Sequence, residues 1–104
     1  MSFDGNEGAV VSLNDASDWT AKYRTTISTG DTIAHFFGKN KLLDILNQTG
    51  CQGIRIYYGL NDDGEKVLIL VGADRDENDM TSGVVLDYSY KCPTNCSTSN
   101  VLNS

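Results

Sequence analysis

The sequence predicts an α+β domain in which two helices pack on a small antiparallel three-stranded meander, in the order α-α-β-β-β. Three observations lead there. Residues 12–50 carry apolar side chains at helical spacing, residues 53–73 hold two strand-like runs divided by a turn, and residues 84–90 alternate again.

Residues 1–11 read as a flexible lead-in, because Gly5, Asn6 and Gly8 interrupt any regular pattern. Ser12 is placed to cap a helix with Asp15 in its first turn. Leu13, Ala16, Trp19 and Tyr23 then share one face, so the spacing predicts a helix over 13–25 with Trp19 as its anchor. Thr25, Thr26, Ser28, Thr29 and Gly30 form a linker, since small hydroxyl residues compete for backbone hydrogen bonds. The IAHFF stretch at 33–37 fits either the first turn of a second helix or a short extended piece, because Gly38 weakens a continuous helix without forbidding one. Leu42, Leu43, Ile45 and Leu46 form the stripe of that second helix, which Gly50 closes.

GIRIYYGL at 53–60 sets Ile54, Ile56, Tyr58 and Leu60 against Arg55 and Tyr57, and Asp63-Gly64 marks the turn that follows. The nearly unbroken apolar run from Val67 predicts a central strand, covered on both faces and hairpin-paired to the one before it. An acidic loop leads to 84–90, where Val84, Leu86, Tyr88 and Tyr90 fall on one face of a third strand that returns antiparallel and leaves an open edge. The folded domain is thus expected over 12–90. Residues 91–104 are a polar, cysteine-bearing tail, ordered only where something holds it.

A chain of 104 residues with 39% hydrophobic and 21% charged side chains fits one globular domain. It contains no apolar run near the roughly 18 residues that cross a bilayer, so no membrane partner is expected. The net charge is −6, and the eight Lys and Arg residues are scattered, which leaves no cationic stripe for nucleic acid. The opening MSFDGNEGAVV lacks the cationic and apolar segments of a secretory signal, so the expected compartment is the cytoplasm. Three cysteines are an odd number, which argues against an obligatory disulfide framework.

AHFFGK at 34–39, GIRIYYGL at 53–60, the strand ending VGAD at 71–74, Asn78-Asp79 and the late cysteine pair together resemble a family of short bacterial proteins without an assigned activity. The resemblance covers roughly residues 13–96. It implies a shared fold and supplies no catalytic residue, substrate or partner.

Asp74, Asp76, Asn78 and Asp79 have the spacing of a calcium loop, but the sixth position is Asp79 instead of glycine and the twelfth is Val85 instead of glutamate. A solvated acidic connection is the expected reading. The 61–65 and 74–79 clusters lie at opposite ends of the hairpin, about 26 Å apart at about 3.3 Å per residue, and so form no common site. Cys51 reads as a small half-buried hydrophobe at a helix-to-strand junction. Cys92 and Cys96 pair with each other, meet His35 in a zinc site with Asp62 or Asp63 as a fourth ligand, or stay free, and a reducing cytoplasm favours free thiols.

The chain has one histidine and no nucleophile motif, Walker loop or dinucleotide fingerprint, so no catalytic residue is assigned, no cofactor is expected and the protein is not read as an enzyme. Tyr57, Tyr88 and Tyr90 offer an interaction surface, because an aromatic body with a polar tip suits contact. The expected function is a non-catalytic subunit for protein interaction or self-assembly. The alternative is a small zinc-binding or thiol-redox module using His35, Cys92 and Cys96.

Overall fold

The computed structural model describes residues 2–104. The elements follow one another as α1 (Leu13–Arg24), β1 (Ala34–Phe36), α2 (Lys39–Leu46), β2 (Gly53–Leu60), β3 (Lys66–Ala73), β4 (Val85–Leu86) and β5 (Tyr90–Cys92). All strand pairing is antiparallel, in one sheet ordered β2-β3-β4 and a second made of β1 and β5. The α+β class and its three-stranded meander are as the sequence predicts. The chain divides into two units, one of Met1–Glu7 with Phe37–Ser89 and the other of Gly8–Phe36 with Tyr90–Ser104.

In the first unit, β2 and β3 pair in one register from Gly53↔Ala73 to Leu60↔Lys66. The turn between them follows from its chemistry. The Asn61 Oδ1 accepts the amides of Asp63 and Glu65 at 3.0 and 2.9 Å, and Gly64 takes φ 77°, a conformation that glycine adopts without a Cβ penalty. The buried residues of this unit are Ile45 from α2 and Val67, Leu70, Val71, Gly72 and Ala73 from β3. An eight-residue helix is about 12 Å long against about 26 Å of hairpin, so α2 reaches only one end of the sheet. A Cβ on Gly72 would stand 3.2 Å from the Ile45 side chain and 3.1 Å from the Cys51 sulfur, which is why that strand position carries none. Gln48 ties the junction, donating to the Ile45 carbonyl at 2.9 Å and accepting the Val84 amide at 2.8 Å. The helix ends at Leu46 with Asn47 as its C-cap, so Gly50 lies beyond the cap that the sequence assigned to it.

Residues 2–7 of the lead-in belong to the first unit. The Phe3 amide donates to the Arg75 carbonyl at 2.9 Å, and the Glu7 carboxylate accepts the amides of Asp4 and Gly5, both at 3.0 Å.

The predicted third strand is broken. Only Val85 and Leu86 pair with β3, opposite Val71 and Leu70, and Tyr88 turns to φ 59° before the chain enters β5. The alternation over 84–90 therefore belongs to two strands in two sheets. A left-handed residue between them reverses the side-chain phase that one continuous strand needs.

In the second unit, the Ser12 side chain accepts the Asp15 amide at 3.1 Å and starts α1 as expected. Its face does not become a core. The helix buries no residue and Trp19 is 58% exposed, so Trp19 is no anchor. The IAHFF stretch is extended, and Ala34, His35 and Phe36 pair with Cys92, Lys91 and Tyr90. The tail is held, because Arg24 donates to the carbonyls of Leu102 and Ser104 at 2.5 and 2.8 Å.

Candidate functional site

In the β2-β3-β4 sheet, β2 is an outer strand of eight residues, while the opposite outer strand, β4, has two. The third strand is an outer one, as the sequence suggested, but the long open edge is β2. The 61–65 turn fixes which backbone groups face outward. The Asn61 amide donates to the Glu65 carbonyl at 3.0 Å in the same register as the strands, so bonding toward β3 recurs at Gly59, Tyr57, Arg55 and Gly53. Ile54, Ile56, Tyr58 and Leu60 then turn their N–H and C=O groups away from β3. The far side of β3 agrees, because Gly72, opposite Ile54, accepts the Met80 amide at 2.8 Å through a carbonyl that points away from β2. Among the described residues no backbone hydrogen bond joins the four outward positions of β2 to another element.

Their side chains share the sheet face that α2 covers at the Gly72 end, since directly opposed residues lie on one face. Beyond the reach of α2 that face is bare. Ile56 is 55% exposed, Leu60 72% and Tyr58 94%. On the other face, Tyr57 and Arg55 converge on Asp79. Its two carboxylate oxygens accept from the Arg55 guanidinium and the Tyr57 hydroxyl, and Arg55 also donates to the Glu77 carbonyl at 3.1 Å. The Phe3 ring lies 5.4 Å from the same guanidinium, within cation–π range.

The Tyr57 hydroxyl, followed by Arg55, holds the Asp79 carboxyl below the usual carboxylate range against the opposing effect of burial. Donation to that carboxylate in turn raises the Tyr57 phenol and the Arg55 guanidinium above their ordinary values. The Asp79 carboxylate accepts from both the Arg55 guanidinium and the Tyr57 hydroxyl, so the three form a bracket between β2 and the acidic loop. A cleft of about 310 Å³, lined by Phe3, Gly5, Glu7, Gln52 and Arg55 among others, opens beside the Gly53 end of β2.

The three tyrosines expected to offer an interaction surface fall in different elements. Tyr57 lies in β2 with its hydroxyl engaged, Tyr88 lies exposed in the link after β4, and Tyr90 lies in β5 opposite Phe36 in the second unit. The Arg55–Asp79 pair was not anticipated. Its only trace in the sequence is the position of Asp79 just past a turn that folds back on β3.

In the second unit, β1 sets His35 opposite Lys91 and Ala34 opposite Cys92. Cys92 and Cys96 are joined as a disulfide across 4.7 Å between Cα atoms, so the expectation of free thiols is corrected. The loop from β5 turns back at once, with the Asn95 amide on the Lys91 carbonyl at 2.8 Å, and this brings the two sulfurs together. Sulfurs bonded to each other offer no thiolate to zinc, so a site with His35 needs the reduced chain. Cys51 is free and half-buried. Among the described residues no group of three or more His, Cys, Asp or Glu side chains is placed to hold a metal ion. In the acidic loop, the Asp74 Oδ1 is occupied by the amides of Asp76 and Asn78 at 2.9 and 3.0 Å. No described helix is long and apolar enough to cross a membrane.

Comparison of the chain with protein-family models, with curated proteins and with solved structures gave no match.

Proposed function

We propose that this protein is a non-catalytic interaction subunit that binds a protein partner by strand addition at β2. The observation that carries the reading is the open edge: Ile54, Ile56, Tyr58 and Leu60 carry unpaired backbone donors and acceptors, and three of them expose large apolar side chains. An edge of this kind recognises an extended segment through backbone hydrogen bonds, while alternate side chains supply selectivity. Arg55, Tyr57 and Asp79 support it from the other face by tying the strand to the loop.

A photocrosslinking residue placed at Tyr58 tests the reading in cells, with Asp18 on α1 as the comparison position. Protein adducts at 58 that exceed those at 18 support it. Absence of adducts at 58 overturns it.

The bonded Cys92 and Cys96 favour a second reading, the thiol-redox half of the alternative function, in which the pair exchanges with an external protein dithiol, the Cys92–Cys96 disulfide being reduced as that dithiol is oxidised to a disulfide. They also weigh against the expected cytoplasmic location, because disulfides persist in oxidising compartments. Trapping thiols in intact cells, followed by fractionation, tests both: a fully reduced pair removes the redox reading.

A further inference from the structure

We infer that the strand which completes the β2 edge is β2 of a second copy of this chain, paired antiparallel about a twofold axis at Tyr57; this rests on the strand-addition reading above. Three features of the strand select this occupant.

The first is register. Outward-facing residues bond only to outward-facing residues, so Ile54, Ile56, Tyr58 and Leu60 of one copy must meet the same set of the other. Centring the pair on Tyr57 sets Ile54 opposite Leu60 and Ile56 opposite Tyr58. All four positions are then used twice, for about eight intermolecular backbone hydrogen bonds. Centring on Ile56 would leave Leu60 opposite Gln52, outside the strand.

The second is side-chain fit. In the Tyr57-centred register, Ile56 lies against Tyr58 on the bare face, an aromatic and β-branched combination that stabilises cross-strand pairs. On the other face each Tyr57 side chain leans across β3 to Asp79, away from the seam, so the non-hydrogen-bonded position where the two Tyr57 backbones come closest is left clear. Arg55 lies opposite Gly59, which has no side chain to obstruct it.

The third is charge. Each copy carries −6, so association must keep acidic groups apart. The strand itself has one charge, Arg55, already neutralised by Asp79. Asp62, Asp63 and Glu65 all lie in the turn at one end of the hairpin. Antiparallel pairing keeps the two 61–65 turns apart but sets each at the end that carries the other copy's 74–79 loop, so it is the neutral strand, and not the turns, that admits a second copy.

Amide exchange measured by NMR across a dilution series of the purified chain tests the inference, with sedimentation at the same concentrations. The expected result is a dimer at high concentration, with exchange at Ile56, Tyr58 and Leu60 slowed about tenfold or more relative to dilute protein. Tyr57 and Gly59, already bonded to β3, should change far less. Tyr58→Pro removes one outward N–H and should leave a folded monomer, since that N–H takes no part in the β2–β3 ladder. Tyr58→Lys, which keeps the N–H but charges the edge, should also be monomeric and guards against a proline-induced folding defect. A chain that stays monomeric at every concentration, without the alternating protection, overturns self-pairing. If adducts to a different protein at position 58 persist in that case, strand addition stands and only the identity of the partner falls.

Discussion

Glu77 occupies, in the 74–78 turn, the place that Gly64 occupies in the 61–65 turn. The two turns carry the same bonds. Asn61 and Asp74 each accept the amides two and four residues on, and each donates its own amide to the carbonyl of the last turn residue. The fourth position is left-handed in both, at φ 77° for Gly64 and 70° for Glu77.

The first prediction concerns that strain. A non-glycine residue in the left-handed region stores on the order of 1–3 kcal/mol, whereas glycine gives back about 0.5–1 kcal/mol through the unfolded chain. Against Glu77→Ala, which loses the same side-chain interactions, Glu77→Gly should therefore be more stable by about 1 kcal/mol, and Gly64→Ala should destabilise the protein by a similar amount, read from urea midpoints. Glycine ahead of alanine at both positions is the diagnostic result.

The bracket at Asp79 predicts a pH window. The Asp79 carboxyl is held below its ordinary value, so its contribution is present above the unfolded carboxylate pKa near 4 and is lost as pH falls through the lower folded value. The Tyr57 phenol is held above its ordinary value, so its contribution is present below about pH 10 and is lost as pH rises through the higher folded value. Asp79→Asn should cost stability between those limits, and the difference from the native chain should shrink on both sides. Paired denaturation curves from pH 2 to 11 measure it.

The Gln48 junction predicts two losses of different origin. Gln48→Ala leaves the Val84 amide without its acceptor and should cost about 1–3 kcal/mol. Gly72→Ala would press a methyl against Ile45, Gln48 and Cys51 at 3.0–3.2 Å, and overpacking of that kind costs about 1–3 kcal/mol. The double variant should cost less than the sum, because shortening Gln48 clears one of the three contacts; thermal melts of the four chains give the coupling.

Thiol titration under denaturing, non-reducing conditions should find one reactive cysteine, Cys51, and three after reduction. Opening a loop of about five residues releases only about 2 kcal/mol in the chain-entropy picture. Cys96→Ser should therefore lower stability modestly, and a larger loss would point to structure that the disulfide holds beyond its own turn.

What was legible in the sequence was local. Ser12 with Asp15, the alternation of 53–60 and Asp63-Gly64 each encode their element within a few residues, and α1, β2, β3 and the hairpin turn stand where those signals put them. The pairing of β1 with β5 was hidden, because the strands are three residues each and lie far apart in the chain. The break at Tyr88 was hidden too, since tyrosine carries none of the turn chemistry that marks a left-handed residue. That β2 carries the longer open edge was hidden for the same reason: a third strand cut to two residues leaves β2 as the long one. Tyr57 and the acidic loop were each noticed, but only the fold of the 74–78 turn brings Asp79 to Tyr57 and Arg55.

Phe36 and Tyr90 are register partners at the matching ends of β1 and β5, so the chain leaves the small sheet and re-enters it at one point. Residues 37–89 are thus an insertion within a hairpin. Excising them and joining Phe36 to Tyr90 through a two-residue Asn-Gly linker would restore an ordinary β-turn, with the Cys92–Cys96 bridge just beyond it. Each sheet would then be a separable part, the larger one borne as cargo between two strands of the smaller.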